Sequence, residues 1–224
     1  IFSYTADDGH GGTATATVVF SNSSLNGAYA FSYSGSDASS SNPNSSGGPP
    51  ILAVAGSFNA SAGSISGIED YNSGGSFTVA MALPVSGSYQ VYPDGSGSAV
   101  LNNPATLGGT ETWQFTLAAG TGGGPSQHAL LVRYDGTATG SGTIDQQNTA
   151  ELSSLASVSG NYVFGLSGSD LNGNPVQFAG IFNTDAAGNI PVNSGEEDIN
   201  YAGQATPFNT PDLSLHGSYS LDTS

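Results

Sequence analysis

Apolar residues return at every second position along much of this chain. Tyr29, Phe31 and Tyr33 alternate with Ala28, Ala30 and Ser32; Phe77, Val79, Met81 and Leu83 alternate with Thr78, Ala80 and Ala82; Trp113, Phe115 and Leu117 alternate with Gln114 and Thr116. A period of two with one apolar face predicts half-buried strands of an antiparallel sheet. Between the strands lie stretches with turn chemistry: "PDGSG" at 93–97, "YDG" at 134–136, "LNGNP" at 171–175 and "DAAGN" at 185–189. No stretch of a dozen residues presents a helical face. The chain therefore reads as all-β.

The pattern is also spoken twice. "SGSD" at 34–37 returns at 167–170, "AGSF" at 55–58 as "AGIF" at 179–182, "SGIEDYN" at 66–72 as "SGEEDIN" at 194–200, and "SGSYQV" at 86–91 as "HGSYSL" at 216–221. Order is kept while spacing drifts, as expected of a repeated unit whose loops vary. Copy one continues through "GSGSAVL", "ETWQFTLA", "HALLVRYD" and "GTATGSGTI"; copy two does not. The expected architecture is a set of antiparallel β-sandwich modules, or a sandwich-like barrel, with a complete copy at 21–152 and a partial one at 153–224. Residues 1–20 form a separate N-terminal hairpin, a stub or a donor strand. A partial sheet leaves an edge open, and an open edge is a template for another chain.

Composition narrows the function. Lys plus Arg total 1, against 17 Asp plus Glu, for a formal charge of -16. Nucleic-acid binding draws its affinity from cations on phosphates, so it is excluded as a partner class, and anionic membrane surfaces with it. No apolar run approaches the roughly 20 residues of a spanning helix, so membrane insertion is not expected. With no cysteine and no lysine, disulfides, thiolate chemistry, Schiff bases and P-loops drop out. The sequons at Asn22, Asn44 and Asn59 and the hydroxyl-rich, low-charge surface lean toward an extracellular or cell-surface setting.

The acidic residues carry the candidate chemistry. Asp37 recurs as Asp170, and Glu69-Asp70 recurs as Glu197-Asp198; Asp7 and Asp8 sit in the turn of the N-terminal hairpin. Carboxylates with nearby amides and loop carbonyls suit Ca²⁺, which makes these eight residues a candidate metal set. The competing reading is structural, an acidic side chain capping loop backbone. Recurrence within one chain favours architecture, because a catalytic pair is seldom needed twice. No EF-hand loop, no G-x-S-x-G elbow and no metal-ligand spacing of His10, His128 and His216 is present. A glycosidase pair would need carboxylates about 5–10 Å apart beside a sugar-orienting cluster, and no such cluster stands out. Arg133, within a strand-like run, reads as a structural partner for one carboxylate. Exposed tyrosines and Trp113 are a candidate sugar platform, though alternating aromatics are more often core.

Residues 2–20, "FSYTADDGHGGTATATVVF", resemble the closing hairpin of cadherin-like and immunoglobulin-like modules strung along large bacterial surface proteins. The repeat itself resembles modules of long secreted or surface proteins. The resemblance implies a location more than an activity: a non-enzymatic structural subunit of an extracellular filament or adhesin-like stalk. Its expected partners are other copies of itself, joined head to tail by β-strand complementation. The alternative is a carbohydrate-binding module, Ca²⁺-dependent or not, with glycans as the partner.

Overall fold

The structure is a computed structural model that describes residues 2–7, 9–18, 24–37, 51–73, 78–102, 109–120, 124–169, 174–201, 204–206 and 215–221. Among them there is no α-helix; the chain folds as antiparallel strands with two short 3-10 turns at Glu151–Ser153 and Leu155–Val158.

The N-terminal strands β1 (Phe2–Asp7) and β2 (Thr13–Val18) form a two-stranded hairpin, with Phe2 opposite Val18 and Asp7 opposite Thr13. Then comes a closed barrel. Its strands are β3 (Gly27–Asp37), β4 (Ile51–Ser61), β5 (Ser64–Ser73), β6 (Thr78–Val91), β7 (Ser96–Asn102), β8 (Thr110–Leu117), β9 (His128–Arg133) and β10 (Ala138–Gln146). Each pairs with its neighbour in sequence, and β10 pairs with both β9 and β3, so the ladder has no free edge. This corrects the expected sandwich. A sandwich needs two sheets, each with open edges, whereas here one eight-stranded meander curls until its first and last strands meet.

Eight strands enclose a space just wide enough for side chains to fill. An aromatic stack fills it. Trp113 is fully buried at the centre, its ring centroid 5.0 Å from Phe31, 6.1 Å from Tyr33 and 6.3 Å from Phe58, and Tyr29 stacks on Phe58 at 5.5 Å. Leu52, Val54, Leu101, Phe115, Leu131 and Ile144 complete the core. Many alternate residues face out as Ser, Thr, Asn and Gln, with Val100, Leu130 and Val132 exposed among them. One mouth is closed by residues 24–26, where Leu25 is buried, its carbonyl accepting from the Tyr89 hydroxyl, and where the Tyr29 hydroxyl donates to the Ser126 carbonyl at 3.0 Å.

The alternation of β6 departs from the sequence expectation. Met81 is 76% exposed while Leu83 packs against the core. A β-bulge between Glu69 and Tyr71 on the partner strand, with Ala82 at φ +52°, inserts an extra position on β6 and breaks the alternation between these two residues. Phe77 lies outside the described residues.

The C-terminal unit is an open sheet in the order β11 (Gly160–Ser169), β12 (Pro175–Thr184), β14 (Gly195–Tyr201) and β15 (Gln204–Thr206). Beside it, β13 (Asn189–Ile190) pairs with β16 (Gly217–Ser218).

Barrel packing is tight where strands carry glycine. A Cβ on Gly56 would lie 2.3 Å from the Ile68 carbonyl oxygen and 2.7 Å from the Phe31 ring, which folds over it. Gly56→Ala is expected to destabilise the protein by about 3 kcal/mol through overpacking. Urea unfolding would show a lower midpoint at unchanged slope; an unaltered midpoint would contradict the packing described here.

Candidate functional site

Strand alternation sends three carboxylates and the chain's only cation into the barrel. Asp37 ends β3, Glu69 lies mid-β5, Glu111 opens β8 in phase with Trp113, and Arg133 closes β9 in phase with Leu131; all four are buried. They gather toward the mouth opposite Leu25. Arg133 Nη1 lies 3.0 Å from Glu111 Oε1 and donates to the Tyr33 hydroxyl at 2.9 Å. The Tyr33 hydroxyl donates to Glu111 Oε2 at 2.8 Å, and Trp113 Nε1 donates to the same oxygen at 3.2 Å. On its outer side Arg133 donates through Nε to Asp135 Oδ2 at 2.8 Å and through Nη2 to Thr137 Oγ1 at 3.3 Å. Next to this network, Ser73 Oγ donates to Asp37 Oδ2 at 2.8 Å.

The electrostatics follow from depth. Burial pushes the Glu111 carboxyl up, opposed by Arg133, Tyr33 and Trp113. Burial and the Glu111 charge raise the Tyr33 phenol well above its ordinary value, so it stays a donor. Burial would lower Arg133, but Tyr33, Glu111 and Asp135 more than offset it, and the guanidinium stays charged. Its Nε, Nη1 and Nη2 all meet protein groups. The arrangement is that of an internal brace tying β3, β8 and β9 together.

Asp135 anchors the brace from the β9–β10 turn. Its Oδ1 accepts from the Thr137 hydroxyl at 2.6 Å, the Thr137 amide at 3.0 Å and the Ala138 amide at 2.9 Å, while Oδ2 holds Arg133. Sequence reasoning singled out neither Asp135 nor Glu111. Both left a signal: "DGT" is an Asx-turn pattern, and Glu111 and Arg133 are the acid and the cation that share the inward phase of aromatic and aliphatic runs.

Of the candidate metal residues, the structure brings Asp37 and Glu69 toward one mouth of the barrel, while the other described ones lie elsewhere. Glu69 is inside the barrel, whereas Asp70, next along the strand, is outside, with Oδ1 accepting from the Ala82 amide of the β6 bulge at 2.8 Å. Asp7 is exposed and its Oδ1 accepts from the Gly9 amide at 2.7 Å. Glu197 and Asp198 sit on β14, on opposite faces by alternation, and Asp8 and Asp170 lie outside the described residues. Among the described residues no group of three or more His, Asp or Glu is arranged to hold a metal ion. Trp113 is buried and unavailable as a sugar platform. Of the histidines, His128 lies on the surface with Nδ1 2.6 Å from Asp145 Oδ1. Asn59 is exposed on β4, and Asn22 and Asn44 lie outside the described residues.

A second candidate is the open sheet of the C-terminal unit. Tyr162 and Phe164 on β11 face the same way as Phe178 and Phe182 on β12. The Tyr162 and Phe182 rings stack at 5.4 Å, with Phe164 5.9 Å from Phe182. Yet Tyr162 is 37% and Leu166 62% exposed, and on the other face Val163 is 82% exposed. Among the described residues this apolar sheet is only partly covered. A scan against protein-family models finds no match for the chain, and searches of curated proteins and of solved structures find none either.

The brace makes a pH prediction. Burial tends to raise the Asp135 carboxyl, but Thr137, Arg133 and the backbone amide hold it below the usual carboxylate value. The stability it contributes is therefore present above the unfolded pKa of about 3.9 and lost as pH falls through the lower folded value. Asp135→Asn should cost about 1–3 kcal/mol at pH 7 and flatten the acid limb of stability against pH. A variant with an unchanged acid limb would contradict the assignment.

Proposed function

We propose that this chain is a structural segment of an extracellular surface assembly, a filament or stalk of tandem β-modules. In this reading the C-terminal unit corresponds to the first half of a second barrel that further strands complete. Agreement between the two units, bond by bond, carries the reading. Ser64 opposite Ser88 and Ile65 opposite Gly87 are matched by Asn189 opposite Ser218 and Ile190 opposite Gly217. The Tyr89 amide donates to the Gly63 carbonyl at 2.9 Å, as Tyr219 does to Gly188 at 2.8 Å. The Tyr89 hydroxyl donates to the Leu25 carbonyl, as the Tyr219 hydroxyl does to Leu155. Phe31 covers Gly56, and Phe164 covers Gly180, where an added Cβ would lie 2.8 Å from the ring. On these correspondences β11 and β12 repeat β3 and β4, β13 with β14 repeats β5, and β15 with β16 repeats β6.

The units differ in what covers them. Tyr29, Phe31 and Phe58 are buried beneath β7–β10, whereas Tyr162 and Leu166 are exposed, with no counterpart of β7–β10 among the described residues. Apolar area left in water costs roughly 25 cal/mol per Å², so the half barrel gains by acquiring the other half. The surface setting rests on the lysine-free, low-charge composition, the sequons, and the resemblance of residues 2–20 to surface-protein modules. A glycan-binding reading fits less well. The amides of Asn161 and Asn183 bond each other at 3.0 Å on the face opposite the Tyr162–Phe182 stack, so a sugar on those rings would not meet them.

Sedimentation of the full chain across a concentration series, with negative-stain electron microscopy, tests the proposal. Mass that grows with concentration into unbranched polymers is the expected result. A monomer at every concentration would contradict completion by a neighbouring copy.

A further inference from the structure

The N-terminal hairpin repeats the hairpin that closes the barrel. "GTAT" at 12–15 is identical to 136–139, where β10 begins, and each copy is followed by "SSL", at 23–25 and 153–155, and then by G-x-Y-x-F at 27–31 and G-x-Y-x-F at 160–164. Hairpin β1–β2 thus holds the place before the barrel that β9–β10 holds before the C-terminal unit. Its setting differs: Ala138 of β10 is fully buried between β9 and β3, while the matching Ala14 of β2 is exposed.

At the other end, among the described residues, β11 is an edge strand that pairs only with β12. It runs ten residues, "GNYVFGLSGS", without a charge or a proline. Folded proteins blunt exposed edges with lysine, proline, charge or bulges, since an unprotected edge recruits other strands. Nothing in this strand does so. Its counterpart β3 is itself free of charge until Asp37, and its outer edge is occupied by β10.

We infer that the free edge of β11 is the docking site for strand β2 of a second copy of this chain, paired antiparallel in the register of β10 on β3. This rests on the reading that the C-terminal unit is an unfinished barrel. The register is specific: Ser34 stands opposite Ser141 in the barrel, and the equivalent residues are Ser167 and Thr17. The hairpin brings the equivalents of β9 and β10, so one edge of the half barrel is covered and the aromatic face gains two strands.

The chain has no cysteine, which makes cross-linking clean. Thr17→Cys and Ser167→Cys are placed in separate, differently tagged copies, mixed at polymer-forming concentration and oxidised. Ser34 and Ser141 of the barrel are exposed, so substitutions at the equivalent positions spare the core. A disulfide-linked heterodimer is expected. It should be absent when Thr15→Cys replaces Thr17→Cys, because a two-residue slip displaces the partner by about 7 Å along the strand, beyond disulfide reach. Polymers that form without the Thr17–Ser167 link, or with equal linking at Thr15, would overturn this docking site while leaving barrel completion standing. Mixtures that stay monomeric and unlinked would overturn both.

Discussion

The pairing of β10 with β3 is the interaction on which the barrel depends. Seven strands in a meander would still leave two rows of unpaired amides and carbonyls and an aromatic core open along a seam. The closing pair removes both edges and lets Trp113, Phe31, Phe58 and Tyr33 pack out of water. The buried ion network is tolerable only inside that enclosure. A guanidinium and several carboxylates pay heavily in desolvation, and good geometry offsets the cost only when each charged group finds fixed partners. For the Arg133–Glu111 pair, formed across the neighbouring strands β9 and β8, closure adds Tyr33 of β3, which the curled sheet brings to both.

The C-terminal unit shows the same residues without that constraint. Its glycine-under-phenylalanine contact, tyrosine hydroxyl bonds and strand registers match those of the barrel, so the local instructions are sufficient to form half the wall. They are insufficient to bury it. The aromatic rings stack on one another, yet Tyr162 and Leu166 remain in contact with solvent, and β11 presents an uncharged edge. On the proposal above, this apolar face and unblunted edge meet further strands, and hairpin β1–β2 is patterned like the hairpin that closes the barrel.

Much of this was legible in the sequence. Period-two alternation located the strands, the turn dipeptides separated them, and the recurring "SGSD", "ED-x-N" and "GSY" phrases pointed to two related units. Barrel against sandwich was not legible, because closure is decided by how far eight strands stagger and coil, a property no local window contains. Met81 was misplaced by a bulge whose cause lies across the ladder, where Asp70 holds the Ala82 amide. The Glu69-Asp70 pair looked like a joint site, but alternation alone sends its members to opposite faces. The Glu111–Arg133 brace was half visible: both residues share the inward phase of Trp113 and Leu131, and only their meeting across strands required the fold.

Hydrogen exchange of backbone amides tests the central claim most directly, by comparing β3 with β11. In dilute protein the account predicts that β3 amides exchange only with global unfolding, while the outward-edge amides of β11 exchange orders of magnitude faster. It further predicts that β11 gains protection as protein concentration rises and β3 does not change. Equal protection of the two strands in the dilute monomer would contradict the account, because it would mean that the C-terminal sheet already has everything it needs.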